Sequence, residues 1–100
     1  MITNVCKRGI INKIISADYA SHEFINQLSF YLNLADNIKG KIDKFNYYMM
    51  VYNQFTIILV DIYQSKYIPK SMYNRFKQVL KHLILILMDS EINKFLGKNS

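Results

Sequence analysis

Side chains that commonly perform catalysis or bind metals are few and scattered in this sequence. His22 and His82 are the only histidines, and Cys6 is the only cysteine. Catalytic and metal sites need several such groups to converge, and the seven acidic residues form no evident acid–base pair. Three glycines are too few for a phosphate-binding loop. We therefore predict no enzymatic activity, metal or cofactor, with Cys6 as a small buried thiol and His82 partly buried.

Tyrosine is the residue type whose number and spacing point to a different kind of chemistry. The chain has eight tyrosines, and Tyr63, Tyr67 and Tyr73 surround Pro69, its only proline. A tyrosine combines an apolar ring with a hydroxyl that needs a hydrogen-bond partner, and it is enriched at protein interfaces. This grouping predicts a contact surface around the proline.

Helices must position these residues, because apolar side chains recur every three or four positions along most of the chain. Few glycines and prolines, 3 and 1, also argue against an all-β fold. The first predicted helix covers residues 2–16, and the second runs from Asp18 or Ser21 to a cap at Gly40. The third runs from residue 42 or 43 to residue 65, and the fourth from Pro69 or Ser71 to residue 88. A last short turn, residues 91–97, is capped by Asp89 or Ser90. Short connections make neighbours antiparallel. The prediction is one all-α domain, residues 1–100: an antiparallel up-down four-helix bundle with a short C-terminal helical turn.

Each helix has a predicted buried stripe. The stripes are Ile10, Ile11, Ile14 and Ile15; Phe24, Leu28, Tyr31, Leu32, Ala35 and Ile38; Phe45, Met49, Tyr52, Phe55, Leu59 and Ile62; and Met72, Phe76, Val79, Leu80, Leu83 and Leu87. Tyr48, Thr56 and Tyr63 widen the stripe of the third helix. That helix is apolar nearly all round, which is typical of a helix central in its bundle.

The net charge of +6 raises the question of an anionic partner. The lysines form two groups, at opposite ends of an up-down bundle: Lys39, Lys41 and Lys44, and Lys66 and Lys70 continued by Lys77 and Lys81. Only two arginines, Arg8 and Arg75, are present for bidentate contacts to bases. Spread charge argues against nucleic-acid binding, although a small basic DNA-binding or phage regulatory protein remains an alternative.

No segment has the pattern of a membrane span or a secretion signal. The longest nearly uncharged stretch, residues 45–60, contains polar amides and stops at Asp61. The N-terminal apolar run is interrupted by Asn12 and Lys13. We therefore expect a cytoplasmic protein.

The stretch "YQSKYIPKSMYNRFKQVLKHL", residues 63–83, resembles the corresponding segment of immunity proteins for class IIa (pediocin-like) bacteriocins, of the enterocin A immunity type. In that family a third helix ends in a polar corner bearing tyrosine and lysine, and a fourth amphipathic helix follows. The matching positions are Tyr63, Lys66, Ile68, Pro69, Ser71, Met72, Leu80 and Leu83.

The resemblance implies a function without catalysis. Such proteins bind, from the cytosol, the complex of a bacteriocin with its receptor, a mannose-type phosphotransferase permease, and so protect the cell. Their C-terminal half carries specificity. Carried over to this chain, the partner-binding residues would be Tyr63, Lys66, Tyr67, Lys70, Tyr73, Lys77, Lys81, Asn93 and Lys94. A basic surface would also suit peripheral contact with the inner membrane face. A viral helical inhibitor of host signalling is a further alternative.

Overall fold

Helices account for nearly all of the chain that the structure describes. The structure is a computed structural model that describes residues 5–99, with side chains for 5–94 and 96. Its elements are α1 (Lys7–Ser16), α2 (Ala20–Asn33), a short 3₁₀ helix (Leu34–Asn37), α3 (Lys41–Gln64) and α4 (Lys70–Asn99). No strand occurs within this range. The predicted all-α class and the four-helix bundle are confirmed.

Contacts between the helices show how they run relative to one another. The Tyr47 hydroxyl donates to the Tyr31 carbonyl, so the start of α3 lies beside the end of α2. Lys44, near the start of α3, pairs with Glu91, late in α4. Tyr63, at the other end of α3, stacks on Tyr73. The pairs α2–α3 and α3–α4 are therefore antiparallel. The molecule measures 49 × 26 × 19 Å.

Three phenylalanines join α2, α3 and α4 at the centre of the core. Phe24 and Phe76 stack with ring centroids 4.5 Å apart, and Phe24 meets Phe55 edge to face at 5.9 Å. All three are fully or almost fully buried. The other buried residues are Val5, Ile10, Ile14, Leu28, Leu32, Ala35, Tyr47, Tyr48, Val51, Ile58, Leu59, Ile62, Ile68, Leu80 and Ile84. Burial of large apolar side chains is the main stabilising contribution to such a bundle.

The buried face of α3 is rotated relative to the prediction. Tyr48, Phe55, Leu59 and Ile62 are buried as expected, but Met49 is exposed and Tyr47 is inside. Because α3 is apolar nearly all round, periodicity alone leaves its orientation undetermined. The surrounding helices select the buried face. In α1, similarly, Ile10 and Ile14 are buried whereas Ile15 is 37% exposed.

Several predicted helix ends are wrong. The predicted start of α1 falls on residues 1–4, outside the described range. Tyr19 precedes α2 without a side-chain cap, so neither Asp18 nor Ser21 has the predicted role. Gly40 is the residue before α3, in an extended conformation with φ −83° and ψ 139°, and it does not cap α2. The 3₁₀ turn takes the place of the last predicted turn of α2.

The predicted C-terminal turn is helical, but it continues α4 without interruption. Asp89 and Ser90 are therefore helical residues, and the predicted cap between them and residue 91 is wrong. Asp and Ser favour caps because their side chains compete for backbone groups, yet each costs a helix interior well under ~1 kcal/mol. The contact of Glu91 with Lys44 of α3 also holds this segment against the bundle.

Candidate functional site

The corner between α3 and α4 has a defined backbone geometry. Lys66 has a φ of 65°, in the left-handed region. Its N–H donates to the Tyr63 carbonyl at 3.0 Å, and the N–H of Tyr67 donates to the Ile62 carbonyl at 2.9 Å. These bonds form the Schellman motif, which usually has glycine at the left-handed position. Ile68 is then buried and anchors the corner to the core.

Tyr63 and Tyr73 face each other across this corner. Their rings stack with centroids 4.5 Å apart and an angle of 17° between planes. The Lys77 ammonium lies 5.3 Å from the centroid of the Tyr73 ring, one helical turn further along α4. Both rings are half-buried against the core. Stacking and cation–π contacts each contribute on the order of 0.5–1 kcal/mol, so they hold these three side chains in one arrangement.

A cavity of about 300 Å³ continues this surface along the junction of α3 and α4. Tyr52 and Thr56 line it from α3, and Lys77 and Lys81 line it from α4. The Thr56 hydroxyl donates to the Tyr52 carbonyl at 2.7 Å, which fixes its rotamer. Together, Tyr52, Tyr63, Tyr73, Lys77 and Lys81 make up what we call the tyrosine–lysine surface. Its chemistry suits carboxylates, through lysine charge and tyrosine hydroxyls, and apolar groups through the rings.

Two members of this neighbourhood were absent from the predicted site. Tyr52 was assigned to the core stripe of α3, but it is only half-buried and lines the cavity. Thr56 also lines it. Their spacing of four residues on α3 matches that of Lys77 and Lys81 on α4, and this is the signal by which the sequence could have indicated a shared surface.

Tyr67 is separated from the tyrosine–lysine surface, although the sequence groups it with Tyr63 and Tyr73. Its ring is 58% exposed. It lines a different cavity of about 580 Å³, with Arg8 of α1 and Ile57 on another side of α3. Lys66 and Lys70 are exposed at the corner itself. The structure therefore places Tyr67 apart from the stacked pair Tyr63 and Tyr73, and its part in the predicted contact surface stays a prediction.

Asn93 and Lys94 lie near the far end of α4. At 1.5 Å per residue, Lys94 is about 26 Å along the helix from Lys77. The Lys94 ammonium is 3.6 Å from a Glu91 carboxylate oxygen, and both Asn93 and Lys94 line a shallow depression with Ile86. The nine predicted residues thus form three separate groups, and the role of the outlying ones stays a prediction.

Glu91 is the electrostatic link between α3 and α4. Burial alone would raise the pKa of its carboxyl, but Lys44 at 3.4 Å, by its charge and hydrogen bond, and then Lys94 hold that pKa below its usual value. The carboxylate is 13% exposed, so water screens the pair only partly. This contact ties the distal half of α4 to the start of α3.

The residues first considered for catalysis do not come together. Cys6 is exposed, contrary to the prediction, because Val5 occupies the adjoining core position. His82 is also exposed, although a partly buried side chain was predicted. His22 is exposed, and the centroid of its ring lies 5.5 Å from the centroid of the Tyr19 ring. Across the described residues, no three His, Cys, Asp or Glu side chains are grouped closely enough to hold a metal ion.

Any helix that crosses a membrane must be both long and apolar. Within the part of the chain described, no helix combines the length and the hydropathy that crossing a membrane requires.

Comparisons with known proteins add no relative. No protein-family model matches the chain, and neither the curated proteins nor the solved structures contain a match.

Proposed function

We propose that this protein acts without catalysis, as a bacteriocin immunity protein that binds a partner protein through its tyrosine–lysine surface. The partner would be the complex of a pediocin-like bacteriocin with its mannose-type phosphotransferase permease. The protein would act from the cytoplasmic side, in peripheral contact with the inner face of the membrane. The observation that carries the proposal is the assembly of Tyr63, Tyr73 and Lys77 next to the corner whose sequence resembles this family.

The surface is suited to binding because it is held in place before a partner arrives. Tyr63 and Tyr73 stand on two different helices, and their stacking restricts the rotamers of both. Lys77 is already located over Tyr73. A preorganised surface loses less side-chain entropy on association, on the order of 0.5–1.5 kcal/mol for each side chain that is already ordered.

The distribution of lysines favours a protein partner over duplex DNA. Lys77 and Lys81 line a cavity together with Tyr52, whereas Lys44 is paired with Glu91 at the other end of α3. Duplex binding needs a patch that follows the phosphate backbone, and it weakens steeply as salt increases. A titration with duplex DNA at low salt that shows no binding would remove this alternative.

Protection of a sensitive cell is the direct test. The full chain would be expressed in a sensitive lactic-acid or streptococcal strain, which is then challenged with a panel of pediocin-like peptides. We expect survival with at least one peptide, and loss of survival with the double variant Tyr73→Ala/Lys77→Glu. The matched control is Tyr19→Ala/Lys13→Glu, since both of its side chains are exposed and lie on other parts of the bundle.

Circular dichroism of all variants would establish that they are folded. Absence of protection against every peptide by the unmodified protein would contradict the proposal. Full protection by the folded Tyr73→Ala/Lys77→Glu variant would show that the tyrosine–lysine surface is not the site.

A further inference from the structure

Among the side chains that the structure describes, seven large aliphatic ones are exposed on α3 and α4, and five of them lie on one side of the bundle. These five are Ile42 and Met49 on α3 and Leu85, Ile92 and Leu96 on α4, with exposed fractions from 42% to 76%. Their exposed areas sum to on the order of 500 Å², which is comparable with the ~300–600 Å² of the largest apolar patch on a typical monomer. Patches of this size often mark binding sites.

Helix geometry places these residues on the same side of the bundle as the tyrosine–lysine surface. On α3, Met49 lies three residues before Tyr52, and on α4, Leu85 lies four residues after Lys81. Residues three or four apart share a helix face. Since Tyr52 and Lys81 line one cavity, the two stripes continue from that cavity along the junction of α3 and α4.

We call this elongated surface the α3–α4 face, and its two halves differ in chemistry. The half near the corner is the tyrosine–lysine surface, and the half near Lys44 and Glu91 is aliphatic. Two antiparallel contacts bound most of its length, Tyr63 with Tyr73 and Lys44 with Glu91, and Ile42, Ile92 and Leu96 lie just past the second. These contacts are 19 residues apart on α3 and 18 on α4, which corresponds to about 28 Å of helix.

We propose that the α3–α4 face binds an amphipathic helix of a partner protein, with acidic residues at one end and aliphatic residues at the other. This inference rests on the proposed function in that it specifies the partner chemistry for the same surface. An amphipathic helix of about 18 residues spans the face, and its side chains fit a groove between two helices. Its carboxylates meet Lys77 and Lys81, and its apolar side chains meet Met49, Leu85 and Ile92.

Charge and asymmetry favour this occupant over a second copy of the chain. Each copy carries a net charge of +6. A two-fold dimer that used the whole face would place the lysines of one copy on either the lysines or the aliphatic half of the other. Neither arrangement is complementary. A lipid bilayer has the same chemistry along its whole surface, so it does not match a face that changes from basic to aliphatic over its length.

The test uses the full chain, labelled with ¹⁵N, and a synthetic helical peptide of about 18 residues with glutamates in one half and a leucine stripe in the other. We expect chemical-shift changes confined to the α3–α4 face. Met49→Ser/Leu85→Ser should weaken binding by about tenfold, with Ile57→Ser as the matched control because Ile57 is also about half exposed but lines the cavity near α1.

The electrostatic half of the face is tested by charge reversal. Lys77→Glu/Lys81→Glu should weaken binding of the acidic peptide by about tenfold and should favour a peptide in which lysines replace the glutamates. Arg8→Glu/Lys13→Glu makes the same change in net charge on α1, and it should leave both affinities unchanged. Equal effects of the two double variants would overturn the specific role of the lysines.

Other occupants are tested with the same protein. Vesicles of phosphatidylcholine and phosphatidylglycerol test a membrane, and sedimentation equilibrium tests self-association. Vesicle binding or dimerisation through this face, without peptide binding, would overturn the proposal. No shift with the acidic peptide, or shifts elsewhere on the protein, would do so as well.

Failure of this inference and failure of the proposed function have different signatures. If the peptide binds the α3–α4 face but no bacteriocin is resisted, the immunity function fails and the surface assignment stands. If the unmodified protein protects cells and the folded Met49→Ser/Leu85→Ser variant protects them equally well, the helix-binding face is wrong and the immunity function stands.

Discussion

Replacing Tyr47 by phenylalanine tests whether a buried hydroxyl connects α2 to α3. Tyr47 is 3% exposed, and its hydroxyl donates to the Tyr31 carbonyl at 2.6 Å. Tyr31 lies in the last turn of α2, where carbonyls lack partners in the regular helix pattern. Tyr47→Phe keeps the ring but removes the donor, which leaves the part-buried Tyr31 carbonyl without this bond.

The loss should be about 0.5–1.5 kcal/mol of unfolding free energy, the net contribution of a typical hydrogen bond, since the Tyr31 carbonyl is only part-buried. For a domain of this size, each kcal/mol lowers the melting temperature by roughly 4–8 °C. Urea and thermal unfolding, followed by circular dichroism, would measure both quantities. Tyr19→Phe is the control, because Tyr19 is 69% exposed and should change stability by less than about 0.5 kcal/mol. Equal stability of Tyr47→Phe and the unmodified protein would refute the reasoning.

Alkaline unfolding provides a second measurement of the same contact. The pKa of Tyr47 lies above its ordinary value of 10.0, mainly because the hydroxyl is buried and to a smaller extent because Tyr31 and Tyr48 are near. The folded state therefore holds the proton more tightly, and its stability is fully present below pH 10 and falls as pH rises through the folded-state pKa. Tyr47→Phe should reduce this loss, while Tyr48, whose pKa burial also raises, keeps part of it. An unchanged alkaline profile would contradict the assignment.

Three further predictions concern the core, the ion pair and the corner. Phe24→Ala should lower the unfolding free energy measured in urea by about 3–5 kcal/mol, since the ring is fully buried and stacks on Phe76. The control Phe30→Ala should lower it by less than about 1 kcal/mol, because Phe30 is exposed. Equal losses in the two variants would contradict the core assignment. The lowered pKa of Glu91 implies a contribution to stability that is present above about pH 4.5 and is lost as pH falls through the folded-state pKa. In a plot of unfolding free energy against pH, Glu91→Gln should therefore show a shallower decrease on the acid side. Identical acid-side curves for the variant and the unmodified protein would argue against the ion pair. Lys66 has a φ of 65°, which glycine adopts easily and a β-branched residue does not. Lys66→Gly should therefore raise the unfolding free energy by about 0.5 kcal/mol, and Lys66→Val should lower it. A lower melting temperature for Lys66→Gly would mean that the backbone is not strained at this residue.

The amino-acid sequence by itself determined the fold class and much of the core. Apolar residues at steps of three and four indicated each helix, and single-sided stripes such as Phe24, Leu28 and Leu32 fell in the core as predicted. The sequence also indicated that Tyr63 and Tyr73 lie near the surface around the proline. These features depend on residues close in the chain, and local periodicity is sufficient to predict them.

Helix ends and the orientation of α3 depended on contacts that local periodicity does not encode. Asp89 and Ser90 have the character of caps, yet α4 continues through them and lies along the start of α3. α3 is apolar on nearly every side, so its own pattern allows several buried faces. Packing against α1, α2 and α4 together selected the face with Tyr48 and Val51 and left Met49 outside.

The composition of the candidate site was decided in part by the tertiary structure. Lys77 joins Tyr73 because one helical turn separates them, which sequence spacing can suggest. Tyr63 joins this pair, and Tyr67 leaves it, only because the left-handed turn at Lys66 directs the chain so that Tyr67 lies beside α1. One backbone angle and the packing of two distant helices therefore determine which tyrosines share a surface, and neither can be read from residue spacing.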